Sequence, residues 1–213
     1  MNHKERIDAV MNHQPVDRTP FALVDGGAWV SKHNNLSYRE LYHLPDSGAS
    51  IIVKQMEEFD TDLISGVNGA FTAEPCSAGT MISPKMFKSL VLPKLVEVKE
   101  RTNFKYYICH VCGGSGKRVG PLMEAGFNAF SCDYAVDLEQ ALQDADGKMV
   151  IYGNINPAGA LLFDTPEDVY AEATERIKTA AGRGYIMAPG CDMVCDAPFE
   201  NVMAMPKACK DLA

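Results

Sequence analysis

A partial α/β barrel is the fold this sequence predicts, and three observations predict it. From residue 105 onward, short apolar runs alternate with amphipathic helical segments, the pattern of parallel βα units. The runs are apolar throughout rather than alternating, as in strands covered on both faces. The chemically distinctive residues (thiols, an imidazole, carboxylates, amides) cluster just after the strands. An open doubly wound sheet and a (β/α)8 TIM barrel both place function there, at the C-terminal strand ends. The barrel is preferred, because the glycine-rich dinucleotide turn is missing. "GGSGK" (113–117) also fails the phosphate-loop template: Val111 stands where glycine is needed, and Arg118 where Ser or Thr is.

The elements follow in order. Residues 3–13 read as a helix with Ile7, Val10 and Met11 on one face. "PVDRTP" (15–20) is a loop bracketed by prolines. "FALV" (21–24) is a short buried strand, "SYRELYHL" (37–44) a helix with a Ser cap, "DSGASIIVKQMEEF" (46–59) an amphipathic helix, and "TDLISG" (61–66) a second strand. Ser83 caps a helix over 83–102 that Pro93 kinks or splits. Strands 105–111, 127–132, 148–153 and 184–189 then alternate with helices 117–125, 137–145 and 166–181. Thr165 caps the last of these, and a final helix spans about 198–211. The count is six strands, read as one domain over 1–213.

Composition excludes some classes. With 46% hydrophobic and 23% charged residues, the chain has an ordinary globular make-up. A net charge of −8 offers no basic stripe for nucleic acid. No apolar run approaches the ~20 residues of a membrane span, and the N-terminus lacks the apolar core of a secretory signal. The expected location is the cytoplasm, with no membrane partner. Seven cysteines in a reducing compartment point to thiols, metal ligands or packing rather than a disulfide framework.

The strand ends carry the candidate site. His110 and Cys112 are two apart on an extended segment, so both point the same way. Cys191 could supply a third ligand from another strand end. Three N and S ligands with one position open is how a catalytic zinc is held, and thiolates favour zinc over magnesium or calcium. Packing or a thiol redox centre remain alternatives. Cys109 faces away and, like Cys209, reads as packing. Cys76 reads as incidental, and Cys195 as an undecided second thiol. Asn154 and Asn156 in "GNINP" either line the pocket or shape a turn. Glu200 and Asn201 either reach the pocket or serve the last helix start. Trp29 could face the pocket, and His33 reads as a solvated loop residue. "NVMAMPKA" (201–208) reads as helix packing.

"PVDRTP", "ISPKMFKSLVLPKL", "HVCGGSG", "EAGFNAFSCDYAVDL", "GNINPAGALLFDTPEDV" and "GYIMAPGCDMVCDAPFENVMAM" stand in an order that resembles the uroporphyrinogen decarboxylase-like superfamily. The narrower resemblance is to its corrinoid-dependent branch, the methylcobamide:coenzyme M methyltransferases. It covers nearly the whole chain and is strongest from residue 82. It implies a (β/α)8 barrel and a His-x-Cys…Cys zinc motif on His110, Cys112 and Cys191. The implied activity moves a methyl group between a corrinoid (methylcobamide), held by a separate corrinoid-binding protein, and a thiol or pterin acceptor. Asp133 matches an acidic residue that joins the zinc shell in some members; a helix-cap role before 137–145 is the alternative. The decarboxylase branch holds substrate carboxylates with arginines after the first strand, where this chain reads "VDGGAWVSKH". The chain is also short. Only about a dozen residues join 69 to 82, where relatives carry further βα units, so an incomplete barrel of about six strands is expected. Its open edges would be covered by a second copy, or the chain would be a non-catalytic zinc- or corrinoid-protein-binding homologue; a metal-free uroporphyrinogen decarboxylase-like lyase is the further alternative.

Overall fold

In the computed structural model, residues 1–213 are described except 25–27, 38, 41–56 and 65–68; the side chains at 63 and 64 are also outside the description. Among the described residues, seven parallel strands form the frame. They are β1 (Ala22–Leu23), β2 (Leu63–Ile64), β3 (Gly69–Ala73), β4 (Tyr106–Val111), β5 (Ala129–Cys132), β6 (Val150–Ile155) and β7 (Tyr185–Pro189). β3 to β7 make one sheet in chain order, and β1 pairs with β2. A parallel bridge from Phe21 to Met187 joins the two sets, so the arc runs β2-β1-β7-β6-β5-β4-β3.

β2 and β3 are the two ends of this arc, yet only residues 65–68 separate them in sequence. A parallel crossover takes a dozen or more residues, so no βα unit fits there. This is an incomplete barrel, as the sequence predicts, but with one strand more than the six expected and with the break between β2 and β3 rather than within 69–82, where the missing units are expected. β3, "GAFTA", has one large apolar side chain and was read as part of a connection, so its pattern carried little strand signal. Its strand character comes from tertiary pairing with β4, in register from Gly69↔Tyr106 to Ala73↔His110.

Alternation along the strands divides the core. Ala22, Val24, Tyr106, Ile108, Ala129, Val150, Tyr152, Ile186 and Ala188 form the inner cluster. The helix α1 (His3–Met11) joins it through Ile7, Val10 and Met11, plugging the N-terminal end of the barrel. Phe21, Leu23, Tyr107, Cys109, Val111, Phe130, Cys132, Ile151 and Met187 pack outward in the cluster that holds the helices.

The helices start and stop where their chemistry dictates. α2 (Ala28–His33) follows β1. The segment after Ser83 runs through Pro84–Met86 and a π-helical turn over Phe87–Val91 into α3 (Leu92–Arg101). The widened turn accommodates Pro93, which cannot donate to the preceding turn, so the predicted disruption falls just before it. α4 (Val119–Glu124) follows a 3-10 turn over Gly116–Arg118. α5 (Leu138–Ala145) is capped by Asp137, whose side chain accepts from the Gln140 N–H. In α6 (Pro166–Ala180), Thr165 and Asp168 form a capping box. Thr165→Ala is therefore expected to cost about 1 kcal/mol, read as a lower midpoint in chemical denaturation. α7 (Phe199–Asp211) closes the chain, burying Val202, Met205 and Cys209. The helices expected over 37–44 and 46–59 lie largely outside the described residues.

An ionic staple fastens the N-terminal end. The Asp62 carboxylate, fully buried, accepts from Arg6 Nη1 and from Arg18 Nη1 at 2.7 Å, and from the Phe21 N–H at 3.0 Å. Arg6 Nε also donates to Asp17 at 2.7 Å. The Asp and Arg of "PVDRTP" thus tie α1, the start of β1 and the start of β2 together.

Candidate metal centre

β4 sets His110 on the inner face, in line with Tyr106 and Ile108, and Cys112 lies just beyond the strand. β7 ends at Pro189, and Gly190 and Cys191 follow. Gly190 is required here: a Cβ at this position would lie 2.5 Å from the Tyr134 N. Only a glycine lets the loop after β7 approach the loop after β5 closely enough to bring Cys191 across. Gly190→Ala is expected to destabilise the fold by about 1–3 kcal/mol and to weaken metal binding, read by titration with zinc.

One potential ligand atom each from His110, Cys112 and Cys191 lies within 4.8 Å of the others, a cluster among the described residues that could hold a metal ion. Cys112 Sγ is 3.3 Å from His110 Nε2 and 3.8 Å from Cys191 Sγ. A tetrahedral ion with Zn–S bonds of about 2.3 Å places its two sulfurs about 3.8 Å apart, so the Cys112–Cys191 edge matches a zinc site as it stands. Burial holds His110 below its usual pKa, while Asp133, the hydrogen bond to the Ser131 backbone and then Asp192 act in the opposite sense. The neutral, ligating imidazole is favoured. Burial, reinforced by the nearby Cys191, pushes the Cys112 thiol up to about 12. Without a cation, Cys112 therefore stays protonated.

The imidazole is held from two directions. Its Nδ1 lies 3.1 Å from the Ser131 carbonyl oxygen and 3.0 Å from Ser131 Oγ. Phe71 on β3 stacks against the ring at 6.1 Å between centroids and 16° between planes. The loop carrying Cys191 is also clamped. Met193 N–H donates to the Val24 carbonyl at 3.2 Å, and Trp29 Nε1 to the Ala197 carbonyl at 2.8 Å. His33 lies in α2, stacked between Trp29 and Phe199 at 4.9 Å from each, rather than in the solvated loop expected for it. Sequence reading missed Ser131, Phe71 and this clamp. A lone serine in the buried strand "AFSC" was the available signal.

The other sequence candidates fall as follows. Asp133 is buried, and its Oδ1 accepts from the Ala135 N–H at 2.9 Å; the cap of α5 is Asp137 instead. Its carboxylate influences His110 and Cys112 but stands outside the three-residue cluster. Asn154 belongs to β6 rather than to the loop expected for it. Its Nδ2 donates to the Val136 and Asp133 carbonyls at 2.9 and 3.2 Å, and its buried Oδ1 has no hydrogen-bond partner among the described residues. Asn156 Oδ1 accepts from the Ala158 N–H at 3.1 Å and shapes a turn. Asn201 Nδ2 donates to the Asp164 and Leu161 carbonyls at 2.8 and 3.1 Å, tying α7 to the loop before α6. Cys109 and Cys209 are buried, and burial pushes both thiols up to about 12. Cys76 and Cys195 are exposed and outside the cluster.

Together these features define a partial (β/α)8 barrel with the His110–Cys112–Cys191 cluster at the C-terminal rim of its strands. The chain belongs to the uroporphyrinogen decarboxylase (URO-D) family, whose profile matches residues 63–212. It is 29% identical over 150 residues to the methylcobamide:CoM methyltransferase MtbA of Methanosarcina acetivorans, covering 68% of this chain and 43% of that protein. A uroporphyrinogen decarboxylase of Trichodesmium erythraeum is 29% identical over 136 residues, covering 62% of this chain and 38% of the other. A solved methyltransferase from Methanosarcina mazei superposes with a TM-score of 0.62 at 20% identity, over 86% of this chain and 51% of that one, and so shares the fold. The chain spans about half the length, or less, of the curated relatives it matches. Among the described residues, no helix is long and apolar enough to cross a membrane.

Proposed function

We propose that this chain is a zinc-dependent methyltransferase that moves a methyl group between a corrinoid (methylcobamide) on a partner protein and a thiol or similar acceptor. The observation that carries this reading is the His110–Cys112–Cys191 cluster, whose 3.8 Å sulfur separation suits a tetrahedral zinc. Its relatives among the methylcobamide:CoM methyltransferases and a methylated-thiol–coenzyme M methyltransferase of Methanosarcina mazei supply the reaction class. Zinc bound there would keep an acceptor thiol deprotonated and nucleophilic at neutral pH.

The remaining roles belong to the chain. His110 Nε2, Cys112 Sγ and Cys191 Sγ hold the ion. Asp133 stands beside them as a carboxylate that completes the shell or gives way to the acceptor. Asn154 offers its Oδ1, which has no partner among the described residues, to a donor on the substrate. Asn156 and Asn201 support the wall through the turn and the α7 contact that they form. The absence of arginine in "VDGGAWVSKH" weighs against a decarboxylase reading, although decarboxylases are among the relatives.

A second reading, a non-catalytic zinc- or corrinoid-protein-binding homologue, is favoured by one observation: the arc lacks strands between β2 and β3 and with them part of a pocket wall. A second copy covering those edges is the partner this reading implies. The test is methyl transfer from methylcobalamin to a panel of thiols by the zinc-loaded chain, followed by the cobalt absorption change. Turnover that disappears in Cys191→Ser supports the enzyme. Zinc uptake with no turnover supports the binding homologue.

A further inference from the structure

We propose that Ser131 is a positioning residue for His110: it holds the imidazole with its proton on Nδ1, so that Nε2 presents a bare lone pair to the metal position. The inference rests on the zinc reading above and adds a residue to it.

Register comes first. β4 and β5 pair His110 directly with Ser131, and alternation puts both on the inner side, with Ile108 and Ala129. Ser131 is fully buried, and its strand neighbours are Ala129, Phe130 and Cys132. Burying a hydroxyl without a partner costs about 1–3 kcal/mol, so a serine at this place needs an account. The partner that its hydroxyl meets is His110 Nδ1, at 3.0 Å.

The backbone oxygen of the same residue decides the tautomer. The Ser131 carbonyl lies 3.1 Å from Nδ1 and can only accept. The hydroxyl can accept or donate, and it adapts. Together the two oxygens favour Nδ1–H, and a neutral imidazole with Nδ1–H leaves Nε2 unprotonated. Nε2 is the atom 3.3 Å from Cys112 Sγ. Phe71 stacks on the ring and restricts its tilt. Turning the ring over would set a carbon against both oxygens and leave the buried hydroxyl without a partner. Ser131 thus acts through His110 rather than on substrate, as outer partners of metal-binding histidines do.

The experiment uses the whole chain with zinc, with Co(II) as a spectroscopic probe, and with 15N NMR of the imidazole in the metal-free protein. The wild type is expected to show His110 with Nδ1 protonated and Nε2 bare. Ser131→Ala is expected to mix the tautomers, to weaken zinc about 10–100-fold in competition with a chromophoric chelator, and to shift the Co(II) ligand-field bands. A wild-type His110 protonated on Nε2 overturns the inference. So does a Ser131→Ala protein with unchanged zinc affinity and Co(II) spectrum. If the wild type takes up no zinc, the metal reading fails by itself, and the NMR tautomer still decides whether Ser131 orients the ring.

Discussion

Cys112→Ser is expected to reduce bound zinc from about one equivalent to less than about a tenth, with loss of any thiol methylation. The site has three protein donors, so removing one leaves two, and a serine hydroxyl does not replace a thiolate for zinc. Cys191→Ser is expected to do the same, because its sulfur completes the 3.8 Å edge. Cys195→Ser is the control: its thiol is exposed and outside the cluster, and zinc content is expected to stay unchanged. The pH dependence has a definite sign. The Cys112 thiol of the metal-free protein is held up to about 12, chiefly by burial, so it carries its proton throughout the neutral range. Zinc must displace that proton, so from about pH 6 to 9 Cys112 alone makes log K rise by roughly one per pH unit. Chelator competition at two pH values measures the slope. A flat profile, or full zinc content in Cys112→Ser, would sink the site.

What the sequence made legible follows a physical division. That His110 and Cys112 share a face was legible because period-two alternation fixes it; Cys191 was joined to them by the family resemblance, and the structure brings the three side chains together. β4 to β7 and helices α5 to α7 were legible because their patterns are local: apolar runs, amphipathic helical periods and the cap at Thr165. β3 was not, because "GAFTA" becomes a strand only by pairing with β4. Ser131 was not, because its role depends on the register that sets it opposite His110. Trp29 and His33 were placed loosely for the same reason. Their partners, Ala197 and Phe199, lie more than 160 residues away in sequence, and no local pattern carries such a contact. Gly190 carries no signal in the sequence; what requires it is the approach of Tyr134 from another strand end.

Asp62→Asn is expected to lower stability by about 3–5 kcal/mol, because it removes one member of a buried ion-pair network and leaves its partners uncompensated. At this chain length that corresponds to a fall in Tm of roughly 6–20 °C. The carboxylate is fully buried and bridges two guanidiniums that are themselves nearly buried, those of Arg6 and Arg18. An amide would keep the shape but turn an N–H₂ toward one of them, setting donor against donor. Arg6 would retain Asp17 and Arg18 would retain Asp60, which limits the loss. The same network sets an acid limit. Asp17 is held well below the usual carboxylate range, first by its hydrogen bond from Arg6. A depressed folded-state pKa stabilises above the unfolded value near 3.8 and is lost as pH falls through the folded value. Denaturant midpoints should therefore fall on acidification below about pH 4, and less steeply in Asp17→Asn; the effect is modest, because the Asp17 side chain is 40% exposed. A second readout separates this staple from the site. The network sits before β1 and β2, at the N-terminal end of the barrel, and the metal cluster sits at the C-terminal ends of β4 and β7. In barrels of this kind the first end carries stability and the second carries chemistry. Asp62→Asn protein that remains folded at low temperature is therefore expected to bind zinc with wild-type affinity. A matched loss of affinity would show instead that the two ends are coupled through the strands that join them.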